Sequence, residues 1–432
     1  MDIIRSGIFI TILFLLCFSA RAQDTLRLSR EEAESVFLKE NLLIVAERLS
    51  IPQAEAMVMQ AKLWPNPTFS ISEVNLWATE RQTGGQEVSP PFWGNFGRNQ
   101  QIGFDIEQLI QTAGKRKKLI ALEQVSVEKS KQYFEDLLRN LKIEFRNQLT
   151  QLQYLQMSRG IYKNQLVSIK QLTKAYQSQV EQGNIPKGEY IRLKALELEI
   201  AQNINELNKE VNVSQKELKL LMRLPSTTQL EISEDGYLKD TAQFSLLVLN
   251  DLIEQAKESR PDFKIAQLEE DYSKNLYAYE KAQRVPDIVL NAGYDRNGNT
   301  MLDFVGVGIS MDIPFFNRNQ GNIKHAQLSI DQSKILSQQK TLDIENELVL
   351  SYQNLSNAID FLAEIEPGYE AILDVLLDSY TKNFIGKNIS LLEYLDFLDA
   401  YLENKIIILE TGKEVNEKAE ELNYFVGLDL IK

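Results

Sequence analysis

Cysteine and histidine are almost missing from this chain. Its 432 residues include one of each, Cys17 and His325. Zinc clusters, disulfide frameworks and thiol–imidazole nucleophile pairs all need more than that. A triad centred on His325 would need a serine and an aspartate delivered by the fold, and nothing marks them. His325 is expected on a helix surface. Glycine (20) and proline (11) are scarce for the length, so turns are few and elements long. Gly306-Val307-Gly308 lacks the downstream glycine and helix start of a phosphate loop. Positive charge is short as well: 47 Lys and Arg stand against 61 Asp and Glu, a net charge of −14. That balance argues against nucleic acid as a partner. Beyond the first 22 residues no apolar run approaches the ~20 that a membrane helix needs. The absences predict no enzyme, no cofactor and no bound metal, and leave strands as the only route across a membrane.

What is present begins with an export signal. Arg5, the apolar run Ile8 to Phe18 and Ala20-Arg21-Ala22 make a secretory signal peptide over 1–22. Cleavage after Ala22 removes Cys17. The alternative is that Cys17 becomes a lipid-modified N-terminus, although Leu16 is not the small residue such sites favour.

The clearest local signal lies at 285–313. Val305, Val307, Ile309, Met311 and Ile313 alternate with Phe304, Gly306, Gly308, Ser310 and Asp312, a two-faced strand. Asp295-Arg296-Asn297-Gly298-Asn299 is turn chemistry, so a hairpin is predicted over about 286–313. An earlier hairpin, about 66–110, joins Thr68–Ser72 to Gln101–Ile106 through a loop with Thr83-Gly84-Gly85 and Pro90-Pro91-Phe92-Trp93-Gly94. Residues 27–63 read as a helix capped at Ser29, with a kink expected at Pro52. From about 113 to 180 there is no proline, and Phe134, Leu137, Leu141, Phe145, Leu149, Leu152 and Leu155 form a coiled-coil seam. A second helix runs to about 224, and an irregular stretch follows Pro225.

Then the plan repeats. Ala61-Lys62-Leu63-Trp64-Pro65 matches Ala282-Gln283-Arg284-Val285-Pro286, and Asp105–Gly114 matches Asp312–Gly321 without a gap. Tyr176 to Tyr190, with Asn184-Ile185 and Glu189, matches Tyr380 to Tyr394, with Asn388-Ile389 and Glu393. The halves are 23–225, with a helix pair over about 113–224, and 226–432, with a pair over about 320–426 and a kink at Pro367-Gly368. Equatorial segments are expected at about 225–250 and the C-terminus. The fold class is mainly α with a small membrane β part: helix, hairpin, long helix, turn, helix, twice. Two hairpins give four strands, whereas a membrane barrel needs about eight. The open edges therefore require other copies of the chain, and three copies give twelve strands.

Arg260-Pro261-Asp262-Phe263, the junction prolines and the turns Gly183-Asn184-Ile185 and Gly386-Lys387-Asn388-Ile389-Ser390 complete an ordered set. With that set the chain resembles the TolC-like outer-membrane efflux proteins from about Leu28 to Gly427, most closely their cation and drug branch. The resemblance implies a homotrimer with a 12-stranded β-barrel in the outer membrane and an α-helical tunnel through the periplasm. It also implies a periplasmic adaptor (membrane fusion protein) and an inner-membrane pump of the resistance-nodulation-division type. Glu393 and Asp396 align with acidic residues at the family's closed tunnel mouth, Asp399 extends the row, and Glu189 holds the equivalent place in the first half. Their spacing by three puts Glu393, Asp396 and Asp399 on one helix face. Three copies would make charge rings that attract cations and raise their own pKa values; a solvated helix face is the competing reading. Gly183, Asn184, Ile185, Gly386, Asn388, Ile389 and Ser390 are the expected adaptor-docking turns, with Ile185 or Ile389 an exposed aliphatic. Asp105 and Asp312 are expected in the barrel lumen, and Trp64, Trp77 and Tyr294 in interfacial belts. A protein-secretion channel of the same architecture and a periplasmic coiled-coil adaptor are the alternatives.

Overall fold

The computed structural model describes residues 25–72, 74, 81, 101–296 and 303–431. The signal segment with Cys17, the loop at 83–94, Trp77 and the Asn297-Gly298-Asn299 turn lie outside them. In order, the elements are β1 (Thr25–Leu28), α1 (Arg30–Glu40), α2 (Leu42–Arg48), α3 (Ser50–Lys62), β2 (Thr68–Ser72), β3 (Ile102–Ile110), α4 (Lys115–Glu181) and α5 (Lys187–Leu221). Then come β4 (Gln229–Ile232), α6 (Leu249–Ser259), α7 (Pro261–Ala282), β5 (Ile288–Arg296), β6 (Asp303–Ser310), α8 (Gln320–Ala363), α9 (Tyr369–Ile385) and α10 (Leu391–Val426). Two compact units form, and each draws on both halves of the repeat.

One unit holds the described residues up to Arg48, Phe134–Pro261 and the chain from Thr341. Its core is the α4 seam: Leu141, Phe145, Leu149, Leu152 and Leu155 are buried against Val211, Leu218 and Leu221 of α5. Phe37 of α1 stacks on Phe145 with centroids 4.3 Å apart. The single helix expected over 27–63 is instead a strand and three helices. The breaks fall at buried Asn41 and at Leu49, not at Pro52. The Asn41 side chain accepts from the Leu43 and Ile44 N–H groups and donates to the Leu221 carbonyl. An Asx cap of this kind competes with continued helix. Pro52 lies in the first turn of α3, where a missing N–H costs little. After Pro225 the chain is not irregular throughout: β4 pairs in parallel with β1, Leu26 opposite Leu230. At Pro367-Gly368 the helix is interrupted rather than kinked, with Gly368 at φ 84° before α9.

The Arg260-Pro261-Asp262-Phe263 motif works as a fastener. Arg260 is 1% exposed, pairs with Glu347 of α8 at 2.7 Å and donates to the Phe425 carbonyl of α10. Ser259 Oγ donates to the neighbouring Val426 carbonyl. Nearby, Arg146 joins Glu34, Glu420 and Asp429, so α1, α4, α10 and the C-terminal segment share one cation. Its hydrogen bond to Asp429 holds that carboxyl below its ordinary range.

The other unit comprises Leu49–Tyr133 and Asp262–Lys340. Its sheet is antiparallel in the order β2-β3-β5-β6, so the two hairpins join through β3 and β5 within the chain. Lys115 Nζ pairs with Asp287 at 2.8 Å, and the Thr112 N–H donates to the same carboxylate, locking the two halves at the sheet's end. Among the described residues β2 and β6 are open edges. The ungapped match of Asp105–Gly114 to Asp312–Gly321 does not survive in the sheet. Thr68 lies opposite Glu107, while Val289, its counterpart by the Pro65/Pro286 match, lies opposite Ser310. Glu107 therefore corresponds to Ser310, not Pro314, a shift of four residues taken up by the longer segment between β6 and α8. Four is even, so every side chain keeps its face.

Candidate functional site

The sheet has two chemically distinct faces. Cross-strand register puts Phe69, Ile71, Phe104, Ile106, Leu290, Ala292, Tyr294, Val305, Val307 and Ile309 together on one. Val307 is 87% exposed there, on an apolar face that no described residue covers. The opposite face carries Ser70, Ser72, Gly103, Asp105, Asn291, Gly293, Gly306, Gly308 and Ser310. Gly103, Gly293 and Gly308 leave room for polar side chains across from them, and Gly306 for the Phe304 ring. Asp105 accepts from Ser72 Oγ at 2.9 Å, and a Cβ on Gly293 would come within 2.5 Å of Asp105 Oδ1. Asp312 lies past the end of β6 and is exposed. At the junction with the helices Trp64 is exposed beneath the Arg116 guanidinium, 3.9 Å from the ring centroid. Tyr294 donates to Asp303 at 2.7 Å.

The other candidate region is the turn pair between α4 and α5 and between α9 and α10. The two turns are one structure made twice. The Gly183 N–H donates to Val180 and the Asn184 N–H to Gln179; the Lys387 N–H donates to Phe384 and the Asn388 N–H to Asn383. These are helix-terminating bonds around a left-handed residue. Gly183 takes that position at φ 77° in the first turn, and Lys387 takes it at φ 60° in the second. Gly386 has an ordinary φ of −71°, so its freedom is not what the turn uses. Ile185 and Ile389 are half-buried, and Ile389 packs on the core beneath. The exposed aliphatic expected there is supplied instead by Ile385 and Leu392. Register places Ile389 just before the Ser390 cap, where its side chain staples the turn to the helix.

Beneath the turns lies an aromatic stack. Phe384 faces Tyr176 at 5.8 Å and Tyr394 at 4.8 Å, and Tyr380 lies on Phe397 at 4.0 Å. Glu393, Asp396 and Asp399 are exposed, whereas Glu189 is half-buried. Burial, helped by the Glu189 charge, raises the Tyr176 phenol. Glu393 has a second job: Ser390 caps α10, and the Ser390 N–H and Oγ both reach Glu393 Oε2, at 2.7 and 2.8 Å. The backbone hydrogen bond from Ser390, with its side chain next, holds the Glu393 carboxyl below its usual value. In the single chain this is opposite to the rise expected from stacked like charges. A depressed carboxyl favours the folded turn when ionised. The cap is therefore complete above about pH 4.5 and fades as pH falls through the lower folded value. Amide protection at Glu393 and Tyr394 is expected to drop on acidification below pH 4.5; protection that rises instead would contradict the cap.

Further along α9 and α10 lies a charge cluster not read from the sequence. Buried Lys405 donates to Glu370 at 2.6 Å and Asp374 at 3.2 Å, and Tyr401 O–H donates to Asp374 at 2.8 Å. Burial and the Asp374 hydrogen bond push the Tyr401 phenol upward. The signal was available: Lys405 falls in the stripe Leu391, Tyr394, Leu398, Leu402, Leu409, where an apolar residue belongs. His325 is exposed on α8, and among the described residues no His, Cys, Asp and Glu group could hold a metal ion. No described helix is long and apolar enough to cross a membrane.

The outer membrane efflux protein family matches residues 252–373. The cobalt-zinc-cadmium resistance protein CzcC of Cupriavidus metallidurans is 23% identical over 150 residues, a match spanning 35% of this chain and 35% of that relative. The fold is that of solved outer-membrane channels. CusC superposes with a TM-score of 0.70 at 16% identity, over 92% of each chain. The CmeC outer membrane channel of Campylobacter jejuni superposes with a TM-score of 0.71 at 14% identity, over 92% of this chain and 85% of that one. The family and these structures are channel proteins, not enzymes.

Proposed function

We propose that this chain belongs to the outer membrane efflux protein family, whose model matches residues 252–373, and forms the exit duct of a tripartite efflux system. One observation carries the reading: a four-stranded sheet, apolar on one face and polar with glycines on the other, with both edges unpaired among the described residues. Three copies supply twelve strands, turn the apolar face to outer-membrane lipid and enclose a watery lumen lined by Asp105, with Asp312 at its rim. The long helices continue the duct into the periplasm. The turns at 183–186 and 386–390 meet a periplasmic adaptor, and Glu189, Glu393, Asp396 and Asp399 line the mouth there. An inner-membrane pump of the resistance-nodulation-division type supplies the energy, and transport through this chain is passive. Metal cations are the proposed cargo, supported by the CzcC relative.

Native mass measurement in detergent tests the assembly: a mass near three chains is expected, and a stable monomer overturns the reading. Deleting the gene tests the cargo. Sensitivity to cobalt, zinc or cadmium salts is expected to rise. Unchanged metal sensitivity with a missing secreted polypeptide would point to protein secretion instead.

A further inference from the structure

We propose that the open edges β2 and β6 join between copies in one particular register, with Ser70 opposite Ser310 of the partner subunit. The proposal rests on the three-copy duct and specifies its seam.

The argument uses the join already present inside the chain. Straight across the sheet, Thr68 leads to Glu107 and Glu107 to Asn291. The repeat counterpart of Thr68 is Val289, fixed by the match of Ala61 and Pro65 to Ala282 and Pro286. Crossing one half therefore advances two residues along the strand, from the level of Val289 to that of Asn291. The second half begins at Val289, which lies opposite Ser310. The same two-residue step carries Ser310 to Ser70 of the partner subunit. Crossing the whole chain then advances four residues: Thr68, Glu107, Asn291, Gly308, and on to Ser72 of the partner subunit.

The chemistry of this seam is matched on both sides. On the apolar face Ile71 meets Ile309 of the partner subunit, and Phe69 meets the partner's Met311, a favourable sulfur–aromatic pairing. On the polar face Ser70 meets the partner's Ser310, Ser72 meets the partner's Gly308, and Thr68 can donate to the partner's Asp312. This is the Asp312 that extends past the end of β6 in the single chain. A one-residue slip would place Ile309 against Ser70 and turn an apolar row into the lumen. Slips of two residues keep the faces but change the barrel. At ~3.4 Å per residue and ~4.8 Å between strands, the proposed register tilts twelve strands by about 35°, within the usual 35–45°. The neighbouring even registers give roughly 20° and 47°.

Paired cysteines in one chain test this, with the chain lacking them as control. Ser70→Cys with Ser310→Cys is expected to give covalent trimers on mild oxidation, because directly opposed residues sit close enough to bridge. The slipped pairs Ser72→Cys with Ser310→Cys and Thr68→Cys with Ser310→Cys should link at least roughly tenfold more slowly. If a slipped pair links fastest while the native mass remains that of three chains, the register is wrong and the duct stands. If the native mass is that of one chain and no pair links, both fall.

Discussion

Replacing Arg260 with Met should destabilise the purified protein by about 2–4 kcal/mol in denaturant titration. The side chain is almost wholly enclosed and joins α6 and α7 to α8 through Glu347 and to α10 through the Phe425 carbonyl. Removing it strands a carboxylate and a carbonyl that were paired in the fold. Glu347 is about a third exposed, so water recovers part of that loss, which keeps the estimate below the ~5 kcal/mol of a fully buried pair. Arg260→Lys keeps the charge but not the planar guanidinium, whose Nη1 meets both partners, and should fall between Met and Arg. Glu347→Leu combined with Arg260→Met should recover much of the loss, since both charges are then gone. A change below about 0.5 kcal/mol for Arg260→Met would remove the motif from any fastening role.

Arg260 also shows where the sequence was legible and where it was not. In the linear chain the motif stands out only as one of the ordered set on which the family resemblance rests. Its partners lie 87 and 165 residues away, a separation no local pattern encodes. The β6 alternation and the α4 seam were readable because each repeats one physical requirement many times. The faces assigned to β3 and β6 therefore hold, while the register between their hairpins was wrong by four residues. Alternation fixes parity alone; distance along the strand depends on the length of the segment after Ser310. β1 and β4 escaped notice because four residues are too few to show a period, and each is a strand only through the other. At the turns, matched Asn184 and Asn388 proved to donate equivalent backbone bonds, whereas Ile389 could be placed only once the core beneath it was known.

The tip acids separate in function when their hydrogen bonds are considered. Asp396 and Asp399 are exposed on α10, whereas Glu393 is held by the Ser390 cap. In a three-copy mouth, Asp396→Asn with Asp399→Asn should therefore leave the turn intact and remove six carboxylates from the cation path. Cation preference in planar bilayers is expected to fall, moving the reversal potential by roughly 20 mV or more of the ~59 mV available to an ideal cation channel in a tenfold salt gradient. Glu393 calls for two substitutions. Gln at the third helical position still accepts from the Ser390 N–H, so Glu393→Gln removes charge and keeps the cap. Glu393→Ala removes both, and a loosened turn above the Tyr176, Phe384 and Tyr394 stack should raise single-channel conductance where Gln does not. Equal conductance in the two variants would mean that Glu393 acts by charge alone. An unchanged reversal potential in the Asp396 and Asp399 variant would place the selectivity ring elsewhere, and Lys405 with Glu370 and Asp374 is the next charged layer along the same helices.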